Sequence, residues 1–191
     1  MDSNPQLDLK KSLITSFEGI IHTHHLQVEN QITDQNQNWS SNENKWSVAE
    51  CLIHLNLSAQ EWLPFIRQCI VKMSKTNIQI VEFKSGFLAN KFINFLQPPP
   101  KIKVSTSKRF RPDNINQIKN INENFTLYQK EFIQLVQDCK TICLKQAKVS
   151  IPGMQSFKVS LGDAFKIVIT HEKRHLWQIK NIIDHANFPK C

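Results

Sequence analysis

Four long stretches of this chain place apolar residues at alternating steps of three and four, and that spacing restricts the fold more than any other feature. The first runs from about Asp8 to Gln35, with Leu9, Leu13, Phe17, Ile20, Ile21, Val28 and Ile32 on one helical face. The second opens at Ser47, where Ser47 and Glu50 have the spacing of a capping box and Trp46 stands just before it. Its stripe continues through Val48, Leu52, Leu55, Ala59, Trp62, Ile66, Ile70 and Met73. Pro64 removes one interior hydrogen bond, so this helix is expected to bend but not to end there. The third begins after Pro112 with Asp113 as its cap and buries Ile115, Ile118, Ile121, Phe125, Phe132, Leu135, Val136 and Cys139. The fourth opens at Ser160 with Asp163 in its first turn, carries Leu161, Phe165, Val168, Ile169, Ile179, Ile182 and Ile183, and is stopped by Pro189.

Between the second and third helices, Lys75 to Pro112 form a long connection. It is expected to hold a short helix over residues 86–96 and an extended Pro98-Pro99-Pro100 run. Thr141 to Val159, with Pro152 and Gly153, reads as a loop. The fold expected is all-α: a four-helix bundle with a long crossover connection between helices two and three, as one domain over residues 1–191. Four glycines argue against a turn-rich β-protein. No apolar run approaches the roughly 20 residues of a membrane span. The polar N-terminus lacks the apolar core of a signal peptide, so a cytoplasmic protein without a membrane partner is expected.

Cys51, Cys69, Cys139, Cys143 and Cys191 form no CxxC pair. The first four fall in helical patterns and read as reduced, small hydrophobes, whereas Cys191 reads as a free terminal thiol. The formal charge is +8. The densest basic cluster, Lys101, Lys103, Lys108, Arg109 and Arg111, is interleaved with only one aromatic residue, Phe110. It reads as a solvated face or an anionic-ligand rim, and no nucleic-acid partner is expected.

The chemistry-bearing string is His171-Glu172-Lys173-Arg174-His175. Histidines four apart lie on one helix face, ~6 Å apart along the axis. Two imidazoles can then reach one ion at about 2.0–2.1 Å each. Both fall on the apolar stripe, so they face the interior, where unsatisfied polar groups cost roughly 1–3 kcal/mol. The string also matches the H-E-x-x-H zinc-protease motif, but Gln178 stands where its extended form has glycine, and Glu172 reads as solvent-facing or supporting a ligand. A third ligand must come from another helix. His54 in the second helix is the best placed. His24 or His25 could add a fourth, although they and His22 read better as edge or surface residues. His185 reads as solvated. Gln178 can make an interhelical hydrogen bond or orient a ligand.

Lys45-Trp46-Ser47-Val48-Ala49-Glu50-Cys51-Leu52-Ile53-His54-Leu55 resembles the W-S-x-x-E-x-L-x-H-L stretch of DinB/YfiT-like proteins. Gly162-Asp163-Ala164-Phe165, followed by His171 to Ile179, resembles the last helix of that family, H-x-x-x-H-x-x-Q-I. The resemblance implies a four-helix bundle with a divalent metal ion, zinc, nickel or iron, on His54, His171 and His175. It further implies a homodimer and a metal-dependent hydrolase or transferase that moves a low-molecular-weight thiol, such as bacillithiol or mycothiol, onto a small electrophile. The alternative is a non-catalytic, stress-linked metal-binding bundle. The long proline-bearing connection departs from the family pattern and leaves the substrate open.

Overall fold

The computed structural model describes residues 6–76, 79–102, 106–112 and 120–190. Five α-helices and one two-stranded sheet are present among them. α1 spans Leu7–His24, α2 Val48–Met73, α3 Phe87–Leu96, α4 Ile121–Asp138 and α5 Leu161–Ile183; β1 is Lys148–Ile151 and β2 Met154–Ser160.

The chain is therefore mostly helical, not all-α. The segment read as a loop is an antiparallel hairpin pairing Val149 with Val159 and Ser150 with Lys158. Its turn is Pro152-Gly153, with Gly153 at φ 79°, a conformation glycine adopts without a Cβ clash. Val149 is buried, and the hairpin rests on α2 and α5. The alternation over these few residues is too short to outweigh the helical pattern around it.

The four long helices meet in a ring: α1 touches α4 and α5, and α2 touches the same two. Phe17 of α1 stacks on Phe132 of α4 at 5.3 Å and meets Phe165 of α5 edge-on at 6.4 Å. All three rings are fully buried, each contributing roughly 1.5–3 kcal/mol through removal from water. Polar side chains tie α2 to α4: Asn56 Nδ2 donates to the Ile121 carbonyl at 3.0 Å, Gln60 Nε2 to the Tyr128 hydroxyl at 2.7 Å, and Arg67 pairs with Glu131.

The caps expected at Ser47 and Ser160 are present. Ser47 Oγ accepts from Glu50 N at 3.2 Å while Ser47 N donates to Glu50 Oε2 at 2.7 Å. Ser160 Oγ accepts from Asp163 N at 3.1 Å. α2 runs unbroken through Pro64, whose side is exposed, so the carbonyl it leaves unpaired faces water.

Several boundaries differ from expectation. The first helix ends at His24 and widens into a π-helical turn over His25–Glu29, which keeps Val28 buried; turns follow to residue 38, with Asn36 Oδ1 accepting from Thr33 N at 2.8 Å. α5 ends at Ile183, before Pro189, and turns carry the chain on. The described part of α4 begins at Ile121, after Asn120 in a left-handed conformation, φ 57°; the expected Asp113 cap, Ile115 and Ile118 lie outside the described residues. Cys51, Cys69, Cys139 and Cys143 are buried and unpaired, but Cys139 caps the end of α4 and Cys143 lies beyond it. Burial pushes the Cys139 thiol up to about 12. Cys191 and Lys103 lie outside the described residues.

The long connection is strapped onto α5. Asp163 Oδ2 accepts from Gly86 N at 3.1 Å, Lys166 Nζ donates to Ser85 Oγ at 3.1 Å, and Arg174 donates to the carbonyls of Phe95 and Ile102 at 3.4 and 3.1 Å. Phe83 crosses so close to Gly162 that a Cβ there would overlap its ring. Within the connection α3 buries Ala89, Ile93 and Leu96. The prolines after it were expected to be extended; residues 97–99 instead bend, and the Pro98–Pro99 peptide is cis.

Candidate metal centre

His54 lies two turns into α2, set by the Ser47–Glu50 cap, and His171 and His175 lie one turn apart on α5. The α2–α5 contact brings them together. One potential ligand atom from each lies within 4.8 Å of the other two. The ring centroids are 4.6 Å (His54–His175), 4.8 Å (His171–His175) and 5.0 Å (His54–His171) apart. His54 and His175 are buried at 6% and 8% exposure, and His171 is partly open.

A backbone contact defines the tautomer of His54. Its Nδ1 lies 2.7 Å from the carbonyl oxygen of Phe110. A carbonyl can only accept, so Nδ1 carries the proton and Nε2 presents its lone pair. That Nε2 faces Nε2 of His171 at 3.1 Å, close to the ~3.3 Å separating two nitrogens on one tetrahedral zinc ion. Phe110 belongs to a single 3₁₀ turn, Lys108–Phe110, at the end of the connection.

All three imidazoles are held below the usual histidine range. Burial is the main cause at each site. His171, further opposed by His54 and Arg174, is lowered to about 3. His175 is lowered by burial and then by His171, His54 and Arg174, while Gln178 works the other way. For His54, burial outweighs the opposing Phe110 hydrogen bond. Neutral imidazole is the ligating form. His175 also keeps a buried Nδ1 without a hydrogen-bond partner among the described residues. Three convergent neutral imidazoles with an orphaned ring nitrogen suit a divalent cation, and the nitrogen-only donor set suits zinc, nickel or iron over calcium or magnesium.

The cluster forms part of the wall of a cavity of about 870 Å³. Trp46 stacks on His175 at 5.8 Å and lies 5.0 Å from His54. Gln178 lines the cavity and lies against His175 on its own helix. His185, expected to be solvated, also lines the cavity and packs on Trp39 at 5.2 Å.

Other sequence candidates fall elsewhere. His24 is fully buried, not at an edge, 4.6 Å from the Phe125 ring with Nε2 3.0 Å from Asn122 Oδ1. His25 is exposed and bonds Glu29 at 2.7 Å, and His22 is exposed. Glu172 is not solvent-facing: it is 2% exposed, lies beside Gln129 of α4 and is not among the cavity-lining residues. Its carboxyl lies beside α4 and outside the cavity lining, and that placement removes it from the general-base position of a zinc protease. Burial raises its carboxyl to about 8.

Sequence reasoning missed the Phe110 carbonyl, which as a backbone atom has no residue signature, and the bridging role of Arg174. Trp46 carried a signal, standing one residue before the capping box.

Fold and site together define a mostly helical protein with a three-histidine cluster that could hold a metal ion. A family model described as the DinB superfamily matches residues 26–179, and the chain belongs to that superfamily. No curated protein and no solved structure matches it. No helix among the described residues is long and apolar enough to cross a membrane.

Proposed function

We propose that this protein is a metal-dependent transferase that adds a low-molecular-weight thiol to a small electrophile, with His54, His171 and His175 as the ligands of one divalent ion. The observation that carries the reading is the convergence of three neutral imidazoles, within 4.8 Å, on a cavity of about 870 Å³. Three ligands leave a coordination position open, as in catalytic sites and unlike closed structural ones. A bound divalent ion would supply the acidification that makes a thiolate available at neutral pH.

The chain's own residues do the rest. The Phe110 carbonyl keeps the Nε2 lone pair of His54 directed at the cluster. Trp46 shields His175 and His54 on one side, limiting water. Arg174 fixes the connection as a cavity wall, and Gln178 sits where it can hydrogen-bond a substrate. We read the four long helices as the bundle that supports this site, and the protein as a cytoplasmic homodimer.

Elemental analysis of purified protein is expected to find about one metal per chain, and His175→Ala to lose it. Unchanged metal content in that variant would refute the ligand assignment. Metal-loaded protein is then mixed with monochlorobimane and a panel of low-molecular-weight thiols. Metal-dependent acceleration with one thiol is expected; none with any thiol would leave the non-catalytic metal-binding reading in its place.

A further inference from the structure

The sequence contains four tryptophans, and all four line the one cavity: Trp39 and Trp46 from the segment before α2, Trp62 from α2 and Trp177 from α5. Indole is the largest flat apolar surface a protein can offer, and it carries one N–H donor. None of the four indole N–H groups is given to a protein acceptor among the described residues.

Charge narrows the ligand further. Among the described residues, the lining includes Lys45, Lys101 and Arg174 but no aspartate or glutamate. Lys45 and Lys101 are exposed and pair with no carboxylate among the described residues. Arg174 keeps its charge while holding two backbone carbonyls. Aromatic walls can also recognise cations through their ring faces, but a cation here would meet three like charges and no counter-charge among the described residues. A neutral apolar ligand would fill the walls and leave the cations unused. The volume, about 870 Å³, is in the upper range for a drug-sized ligand, with room for a second small molecule beside it.

From this lining we infer that the cavity takes a planar aromatic carboxylate, its ring among the indoles and its carboxylate on Lys45 and Lys101. This deepens the proposed function by giving the chemical class of the substrate, and it rests on that reading for the role of the cavity; the electrophilic carbon would be borne on the ring with a leaving group, such as a halide, that departs as its anion when the thiolate forms the new C–S bond. The ring supplies shape and stacking; the lysines supply charge selection at the mouth.

The test uses full-length, chelator-treated protein without thiol, so a failure of the metal or transferase reading leaves this result standing and the reverse also holds. Calorimetric titration with 2-naphthoate is expected to show saturable one-to-one binding. The isosteric 2-naphthamide and the saturated decahydro-2-naphthoate are each expected to bind at least about tenfold more weakly, and 2-naphthylmethylammonium about a hundredfold more weakly. The K45M/K101M double variant, altered only at exposed positions, should melt as the parent does and bring naphthoate to within about threefold of the amide. Absence of saturable naphthoate binding overturns the proposal. So does equal binding of the acid, amide and ammonium, or of the aromatic and saturated acids, or an undiminished preference for naphthoate in a folded double variant.

Discussion

His54 and Phe110 are 56 residues apart, yet the imidazole Nδ1–H of one meets the backbone carbonyl of the other at 2.7 Å. The connection between α2 and α4 thus reaches back to choose which histidine nitrogen faces the cluster. Removing residues 108–110 is expected to weaken metal affinity about 10–100-fold, as loss of a partner behind a ligand does, with helix content unchanged. Competition with a chromophoric chelator and far-ultraviolet circular dichroism measure the two effects separately.

The depressed histidines make metal-free protein acid-sensitive. An unfolded imidazole titrates near 6.5, whereas folded His171 is lowered to about 3 and His54 and His175 are also lowered. As pH falls below ~6.5 the unfolded chain takes up protons first, so folding stability declines from there toward the folded values, by at most about 1.4 kcal/mol per pH unit per histidine. Urea midpoints of chelated protein should be flat from about pH 8 to 7, apart from the contribution of Glu172, and fall by pH 5. His171→Gln should reduce the slope.

Glu172 works in the opposite direction. Its carboxyl is raised from 4.5 to about 8 by burial, so its stabilising effect is complete below ~4.5 and lost as pH rises through about 8. Glu172→Gln removes that loss and is expected to be more stable than the parent at pH 8 by about 1–4 kcal/mol. The gain should shrink toward pH 4.5, as followed by denaturant unfolding. Metal content should stay at the parental level, because Glu172 lies outside the cavity lining.

Asp163 joins the cap of α5 to the start of α3: its Oδ2 accepts from Ser160 Oγ at 2.7 Å and from Gly86 N at 3.1 Å. Asp163→Ala should cost about 1–3 kcal/mol, because it removes a cap partner and strands a backbone N–H. Asp163→Asn, which keeps an acceptor oxygen, should cost less. Urea melts measure both, and limited proteolysis between residues 79 and 102 should speed up in the alanine variant.

Much of this molecule was legible in one dimension. The Ser47–Glu50 and Ser160–Asp163 spacings marked the starts of α2 and α5, because a cap is a contact between residues three apart. The apolar stripes marked the core faces of the long helices, and the pair His171 and His175 declared a shared face for the same reason. The hairpin escaped because Val149 and Val159 pair across a turn that resembles any Pro-Gly loop. His24 was misplaced because the face it shares with Phe125 exists only once α1 and α4 meet.

The sequence by itself therefore determined what depends on neighbours within a turn or two: helices, caps, and which side chains share a face. Tertiary structure alone decided the three-histidine convergence, the tautomer that Phe110 imposes on His54, the burial of Glu172 and the gathering of four tryptophans around one cavity. Each of these depends on which helices touch and how far each is rotated about its axis. Those choices are settled by packing across the whole core, where contacts join residues far apart in the chain.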